Sequence, residues 1–427
     1  MPPAPTTRTA RLPAVAAPAA LAAVPPLVDA VRDRLTDAAH PPTPADVARA
    51  LAQVAGPLPA ADQEAARRAV TAELLGAGPL EALLADPDVT DVLVNGPARV
   101  WVDRGAGLER TEVRFADEEA VRRLAARLAA AAGRRLDAAA PFADARLPDG
   151  SRLHAVLAPV AADGTCLSLR RPRRLPLTLA ECVDGQDVAL PGVLRALVCG
   201  RLAVVVTGGT GTGKTTLLAA LLGCVHPAER VVVVEDTSEL VLTRENLVRL
   251  QGRPANIEGA GAITQRDLVR QALRMRPDRL VVGEVRGPEV LDLLVAFNTG
   301  HDGGLTTIHA NAAGALPARV EALGALAGLS RAAVHSQLAA AVQVTVHLRR
   351  DRGGRRAVAA IGVLRTEPDG LVRVRPALVT APAGNAATGG GPDGPPGALL
   401  PAEGLPALRD LLRDRGVTLP APFGAAA

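Results

Sequence analysis

The chain has 427 residues, enough for two or three domains with a sizeable core. It is 48% hydrophobic and 22% charged with a net charge of +4 and no long basic run, which argues against a dedicated nucleic-acid binder. Only 1% is aromatic, so Ala, Val and Leu must build the core from many small contacts.

Residues 1–24, mostly Ala, Pro and Thr, read as a disordered tail without the basic start and apolar core of a signal peptide. Helical periodicity covers residues 26–39. A second helix starts at Thr43 and Pro44, a capping residue followed by a first-turn proline, and a third runs over 61–75. These make a short helical unit, residues 25–75. An α+β domain over 76–170 follows, with strands at 91–95, 99–103 and 108–114 and a helix at 118–132 capped by Asp117. Strands at 144–147 and 152–157 flank the turn Pro148-Asp149-Gly150, and another strand covers 165–170. Residues 171–191 hold three prolines and few apolar runs and read as a linker.

From residue 192 buried strands alternate with helices, the pattern of an α/β, doubly wound, mainly parallel sheet. Its strands are expected at 202–207, 231–234, 247–250, 280–282 and 305–309. Helices are expected at 214–222, 264–275, 288–299 and 330–342, and antiparallel strands at 343–349, 357–365 and 371–375. This domain spans 192–376. Residues 377–427 read as a flexible extension, Gly/Pro/Ala-rich to about 397, with one amphipathic helix near 405–414.

The run LAVVVTGGTGTGKTT, residues 202–216, meets the pattern G-x-x-x-x-G-K-[ST] through Gly208, Gly213, Lys214 and Thr215. Backbone N–H groups of Gly208, Gly209, Thr210, Gly211, Thr212 and Gly213 would cradle phosphate oxygens of ATP. The helix that opens with Lys214, Thr215 and Thr216 adds its positive end. Lys214 neutralises β/γ charge and the Thr215 hydroxyl would hold Mg²⁺. Lysine and arginine total 48, yet Lys214 is the single lysine. Arginine has replaced lysine everywhere except where a forked guanidinium does not fit.

Ligands of open α/β sheets bind beyond the carboxyl ends of the strands. Glu235, Asp236 and Glu239 follow one apolar strand there and Glu284 another. Phosphoryl transfer needs a carboxylate for a water of Mg²⁺, for which Glu284 is the candidate. It needs a second to orient the attacking water, either Glu235 or Glu239. Residues 298–311, NTGHDGGLTTIHAN, carry His301 and His309, and His309 at a strand end could bond the γ-phosphate. Arg274, Arg276, Arg279 and Arg286 flank the Glu284 strand as candidates to reach a neighbouring subunit's γ-phosphate. Cys166, Cys182, Cys199 and Cys224 lie far apart without a C-x-x-C pair. They read as buried free thiols of a reducing compartment rather than a zinc site. No apolar stretch is long enough for a transmembrane segment.

The stretches GGTGTGKTT, VVVVEDTSEL, LVVGEVRG and GHDGGLTTIHAN resemble, in order and spacing, the Walker A, Asp, Walker B and His boxes of the type II/IV secretion traffic ATPases. Residues 78–105 and 144–160 are similar to the N-terminal domain of the CpaF-type ATPases of Tad (Flp) pili. The resemblance implies a RecA-like P-loop domain behind a PAS-like α+β domain. It also implies a homo-hexameric ATP hydrolase on the cytoplasmic face of the inner membrane, docked on platform proteins of a pilus or secretion system. Direct nucleic-acid contact is not expected. Glu284 takes the Walker B place, His309 the His-box place, and Arg286 matches the arginine after Walker B. Arg152 and Arg170 match N-terminal arginines that approach the nucleotide. No tetracysteine metal subdomain is present, and the tail after Pro376 has no counterpart. Service in DNA uptake or conjugative transfer is the alternative within the class. A RecA-like nucleic-acid translocase and a nucleotide-switched binding module are alternatives outside it.

Overall fold

The computed structural model describes residues 24–35, 42–55, 60–105, 107–171, 176–253, 260–300, 302–350, 354–381 and 397–424. The expected tail before residue 24, most of the Gly/Pro/Ala stretch after 381, and His301 lie outside the described residues. The chain divides into two compact units, Met1–Pro172 and Arg173–Ala427.

The first unit begins with helices α1 (Val24–Leu35), α2 (Pro44–Val54) and α3 (Ala60–Leu74), which share a small core around Val31, Val47 and Val70. Thr43 and Asp46 form a reciprocal capping box at α2, satisfying two orphan amides of its first turn. A short helix α4 (Glu81–Ala85) leads into strands β1 (Asp91–Asn95), β2 (Val100–Asp103) and β3 (Leu108–Arg110). Helix α5 (Glu118–Ala131), capped by Asp117, precedes β4 (Phe142–Arg146), β5 (Arg152–Val156) and β6 (Cys166–Arg170). The sheet is antiparallel throughout, in the order β3-β2-β1-β6-β5-β4. Strict alternation sends Val92, Val94, Val100, Leu153 and Leu167 to one face, where α5 packs Val121 and Leu124 on them. The third strand ends at Arg110 rather than 114; all three of its residues are exposed, so no buried face extends it.

The second unit opens with α6 (Leu179–Cys182) and α7 (Leu190–Cys199). Then come β7 (Val204–Gly208), α8 (Lys214–Leu222), β8 (Val231–Glu235), β9 (Leu247–Gln251), α9 (Gln265–Ala272), β10 (Arg279–Val285) and α10 (Val290–Asn298). The chain continues through β11 (Leu305–His309), α11 (Leu316–Leu326), α12 (Arg331–Ala341), β12 (Val344–Arg350), β13 (Arg356–Thr366), β14 (Val372–Thr380), β15 (Leu399–Pro401) and α13 (Leu405–Arg413). One nine-stranded sheet results, β15-β14-β13-β12-β7-β11-β10-β8-β9. It is parallel from β12 to β9, as buried β/α alternation demands, and antiparallel from β13 to β15. It is thus a mixed α/β sheet with a parallel centre. The strand at 343–349, expected to be antiparallel, runs parallel to β7 on one side and antiparallel to β13 on the other.

Three expectations are corrected. The linker over 171–191 is built into the second unit from Leu179 onward. Leu179, Val183 and Leu190 are buried in its main core, a role their wide spacing among polar residues concealed. The extension over 377–427 is not a loose tail where it is described. Its strand β14 runs on to Thr380, β15 pairs with it, and Leu405, Leu408, Leu412, Leu419 and Phe423 enter the same core. Helix α13 alternates these leucines with Arg409, Asp410 and Arg413, so one face has somewhere dry to go. The cysteines are free thiols, but Cys199, at the end of α7, is exposed rather than buried.

Arg279, at the start of β10, is 1% exposed. Its Nε donates to Glu229 at 2.8 Å, and its Nη groups donate to the carbonyls of Val198 and Gly303 at 2.9 and 3.2 Å. A Cβ at Gly303, whose φ is +77°, would stand 2.0 Å from Nη1, so this glycine is required by close approach as well as by conformation. Removing the guanidinium takes the side-chain donor from the buried Gly303 carbonyl, takes one of several donors from the Val198 carbonyl, which keeps the Arg201 amide, and leaves Glu229 paired with Arg201. Arg279→Ala is expected to lower stability by about 3 kcal/mol, read as a fall in the urea midpoint of the full-length protein.

Candidate functional site

The site lies at the carboxyl edge of the parallel strands. Strand β7 is apolar until Thr207 and ends at Gly208, whose φ is 154°; Gly211 at 72° and Gly213 at 93° continue the turn into α8. A Cβ at Gly208 would sit 2.6 Å from Thr212 Oγ1 and 2.7 Å from the Leu348 carbonyl oxygen, so this corner admits glycine alone. The loop closes on itself through Thr212 Oγ1 donating to the Gly209 carbonyl at 2.9 Å. Lys214 Nζ donates to the same carbonyl at 3.0 Å.

Lys214 is buried. Burial pulls its pKa below the ordinary lysine value, Arg286 pulls the same way, and Glu284 and Glu239 oppose them. A cation desolvated at a helix N-terminus beside a glycine cradle suits a polyphosphate. The residues present therefore fit a nucleotide's phosphate chain. Among the described residues no three His, Cys, Asp or Glu side chains gather to hold a metal unaided. A divalent ion here would take its oxygens from phosphate, water and the Thr215 hydroxyl.

The acids divide by burial. Glu235 ends β8 and is buried, and its Oε1 accepts from the amides of Glu239 and Leu240 at 2.9 and 3.0 Å. Burial raises its pKa against those two bonds. Gly283 on the neighbouring β10 makes room for it: a Cβ there would lie 2.8 Å from Glu235 Cγ. Glu235 thus shapes the turn that carries Glu239, which is exposed, as is Asp236. Glu284, half-buried after the apolar run of β10, accepts from Arg286 Nη2 at 2.5 Å. That bond first, despite partial burial, holds the Arg286 guanidinium above its usual pKa. Arg286 N and Gly287 N donate to the buried Glu289 carboxylate at 2.6 and 2.7 Å, and Gln265 Nε2 donates to the Glu284 carbonyl at 3.0 Å.

His309 ends β11 directly opposite Gly208, the first glycine of the loop. On the other flank of β7, His347 of β12 pairs with Thr207, whose Oγ1 lies 3.0 Å from its Nδ1. Burial lowers the His347 pKa, so it is a neutral partner. Reading along the chain did not single out this buried Thr207–His347 contact, nor the support from Glu289 and Gln265. The one signal was the polar alternation in Val344-Thr345-Val346-His347.

Among the flanking arginines, Arg286 alone follows β10. Arg279 is locked inside the unit and cannot reach another chain, which corrects its candidacy, and Arg274 and Arg276 precede the strand. Arg152 and Arg170 belong to the first unit, cross-strand neighbours on β5 and β6. Arg152 is paired with Asp144 at 2.7 Å and Arg170 with Asp91 at 3.7 Å.

The family described as type II/IV secretion system protein matches residues 73–367, so the chain belongs to that family. A Mycobacterium tuberculosis H37Rv protein provisionally named a conjugal transfer protein is 60% identical over 306 residues, 70% of this chain and 87% of its own. Protein VirB11 of Agrobacterium fabrum is 33% identical over 263 residues, 54% of this chain and 75% of its own. The crystal structure of the Yersinia pseudotuberculosis ATPase DotB covers 68% of this chain and 78% of its own at 19% identity and a TM-score of 0.50, a likeness of fold.

Proposed function

We propose that this family member is a homo-hexameric ATP hydrolase that powers a Tad/Flp-type pilus or protein-secretion assembly from the cytoplasmic face of the inner membrane. The observation that carries the reading is the buried Lys214 at a glycine cradle, with Glu284, Arg286 and Glu239 acting on it electrostatically. Lys214 and the loop amides hold the β- and γ-phosphates. Thr215, with Glu284 through water, holds Mg²⁺, which supplies charge neutralisation when bound. Glu239, presented by the Glu235 turn, orients the attacking water. His309, beside Gly208 in the sheet, senses the γ-phosphate and couples its loss to β7. Arg286 screens developing charge, and its pairing with Glu284 keeps it at the strand end.

A second reading, the same motor in conjugative transfer, is favoured by the name of the 60% identical relative. Among the described residues no helix is long and apolar enough to cross a membrane, so attachment would run through protein partners. The purified protein is expected to release phosphate from ATP only when a divalent ion is supplied. No release under any divalent ion would overturn the hydrolase, and strong stimulation by single-stranded DNA would favour a nucleic-acid translocase over both readings.

A further inference from the structure

Resting on the nucleotide reading above, we propose that Arg350 and Arg356, facing each other at the paired ends of β12 and β13, hold the nucleoside end of ATP.

Both residues lie against the loop. Arg356 Nε donates to the Gly211 carbonyl at 3.1 Å, and its Cδ is 3.3 Å from where a Gly213 Cβ would stand. Arg350 Nη1 is 3.7 Å from the corresponding point at Gly211. The stem of Arg356 therefore crosses the glycine that caps α8, with its guanidinium anchored on the loop. Both side chains are exposed, and Arg350 Nε also donates to the Gly354 carbonyl at 3.1 Å.

The sheet order gives the direction. Strand β8, whose following turn carries Glu239, and strand β10, which carries Glu284, lie on one side of β7, and β12 and β13 lie on the other. A triphosphate whose γ-end meets the acids must leave the cradle with its nucleoside toward β12. Composition then limits what can receive a base there. The chain has no tyrosine, and its one Trp and four Phe include only Phe297 and Phe423 in this unit, 5% and 4% exposed within its cores. No Phe, Tyr or Trp side chain of this unit is exposed to stack on adenine. A guanidinium is planar, stacks on aromatic faces and donates to ribose hydroxyls, so the two arginines supply what the composition withholds.

The test compares full-length wild type with R356A, R350A and R356K, measuring the KM of ATP and the inhibition constants of ADP and inorganic tripolyphosphate. The proposal expects the ADP constant and the ATP KM to rise about tenfold in R356A, with a smaller fall in kcat. Tripolyphosphate, which has phosphates and no nucleoside, should stay within about twofold, and R356K, charged but not planar, should not rescue. If ADP and tripolyphosphate weaken together, Arg356 merely shapes the loop through Gly211 and the assignment is overturned. Unchanged constants for both overturn it equally. A wild type that neither binds ADP nor hydrolyses ATP would instead strike the nucleotide reading, so the two failures are distinguishable.

Discussion

Replacing Lys214 by alanine is expected to cut ATP turnover by about a thousandfold. The ammonium is buried and aimed into a loop whose other polar groups, backbone amides and threonine hydroxyls, carry no charge, so no other side chain of the loop neutralises β/γ charge. Lys214→Arg should not recover it. The loop is tight enough that Gly208 has no room for a Cβ, and the guanidinium is a wider, forked group. Folding should be little affected, because the lysine contributes one hydrogen bond to the Gly209 carbonyl, worth about 1 kcal/mol. Phosphate release and a urea melt on the same preparations check both halves. Near-normal turnover in Lys214→Ala would remove the loop from the mechanism.

Glu284→Gln should give a different phenotype: ATP still binds, while phosphate release falls by about a hundredfold or more. The amide keeps the shape and can still meet Arg286, but it loses the charge that would hold a water of Mg²⁺. Arg286 is exposed and Glu284 only half-buried, and the amide keeps the bond to Arg286, so the substitution costs little stability. Measuring nucleotide affinity beside single-turnover hydrolysis separates the outcomes. A chain that serves only as a nucleotide-switched binding module would keep whatever slow hydrolysis it has, unchanged by the substitution.

Much of this was legible in the sequence because the relevant signals are local. A strand followed by glycines at fixed spacing forces the Gly208–Lys214 turn, and an apolar run followed by an acid sets Glu284 at a strand end. What stayed hidden depends on residues far apart. Glu235 and Glu239 look alike along the chain. They separate only when Gly283 of another strand leaves the space that Glu235 fills. Arg279 and Arg286 stand seven positions apart as similar candidates. One closes a buried network with Glu229, and the other meets Glu284 in the open. Leu179 is unreadable as core, and the amphipathic pattern around Leu412 does not say what it packs on, because each belongs to a face completed by elements far away in sequence.

Leu399 N donates to the Asp187 carboxylate across 212 positions, and Val358 N donates to Gln186 across 172. The apolar cluster around α7 and α8 is roofed by Leu405, Leu408, Leu412 and Phe423. A ribosome-bound chain that has already emitted the phosphate loop therefore still lacks the cover of its own core. The first unit, closed entirely within residues 1–172, can fold during translation. The second lacks part of its native apolar cover until α13 has been synthesised, so its core is completed late.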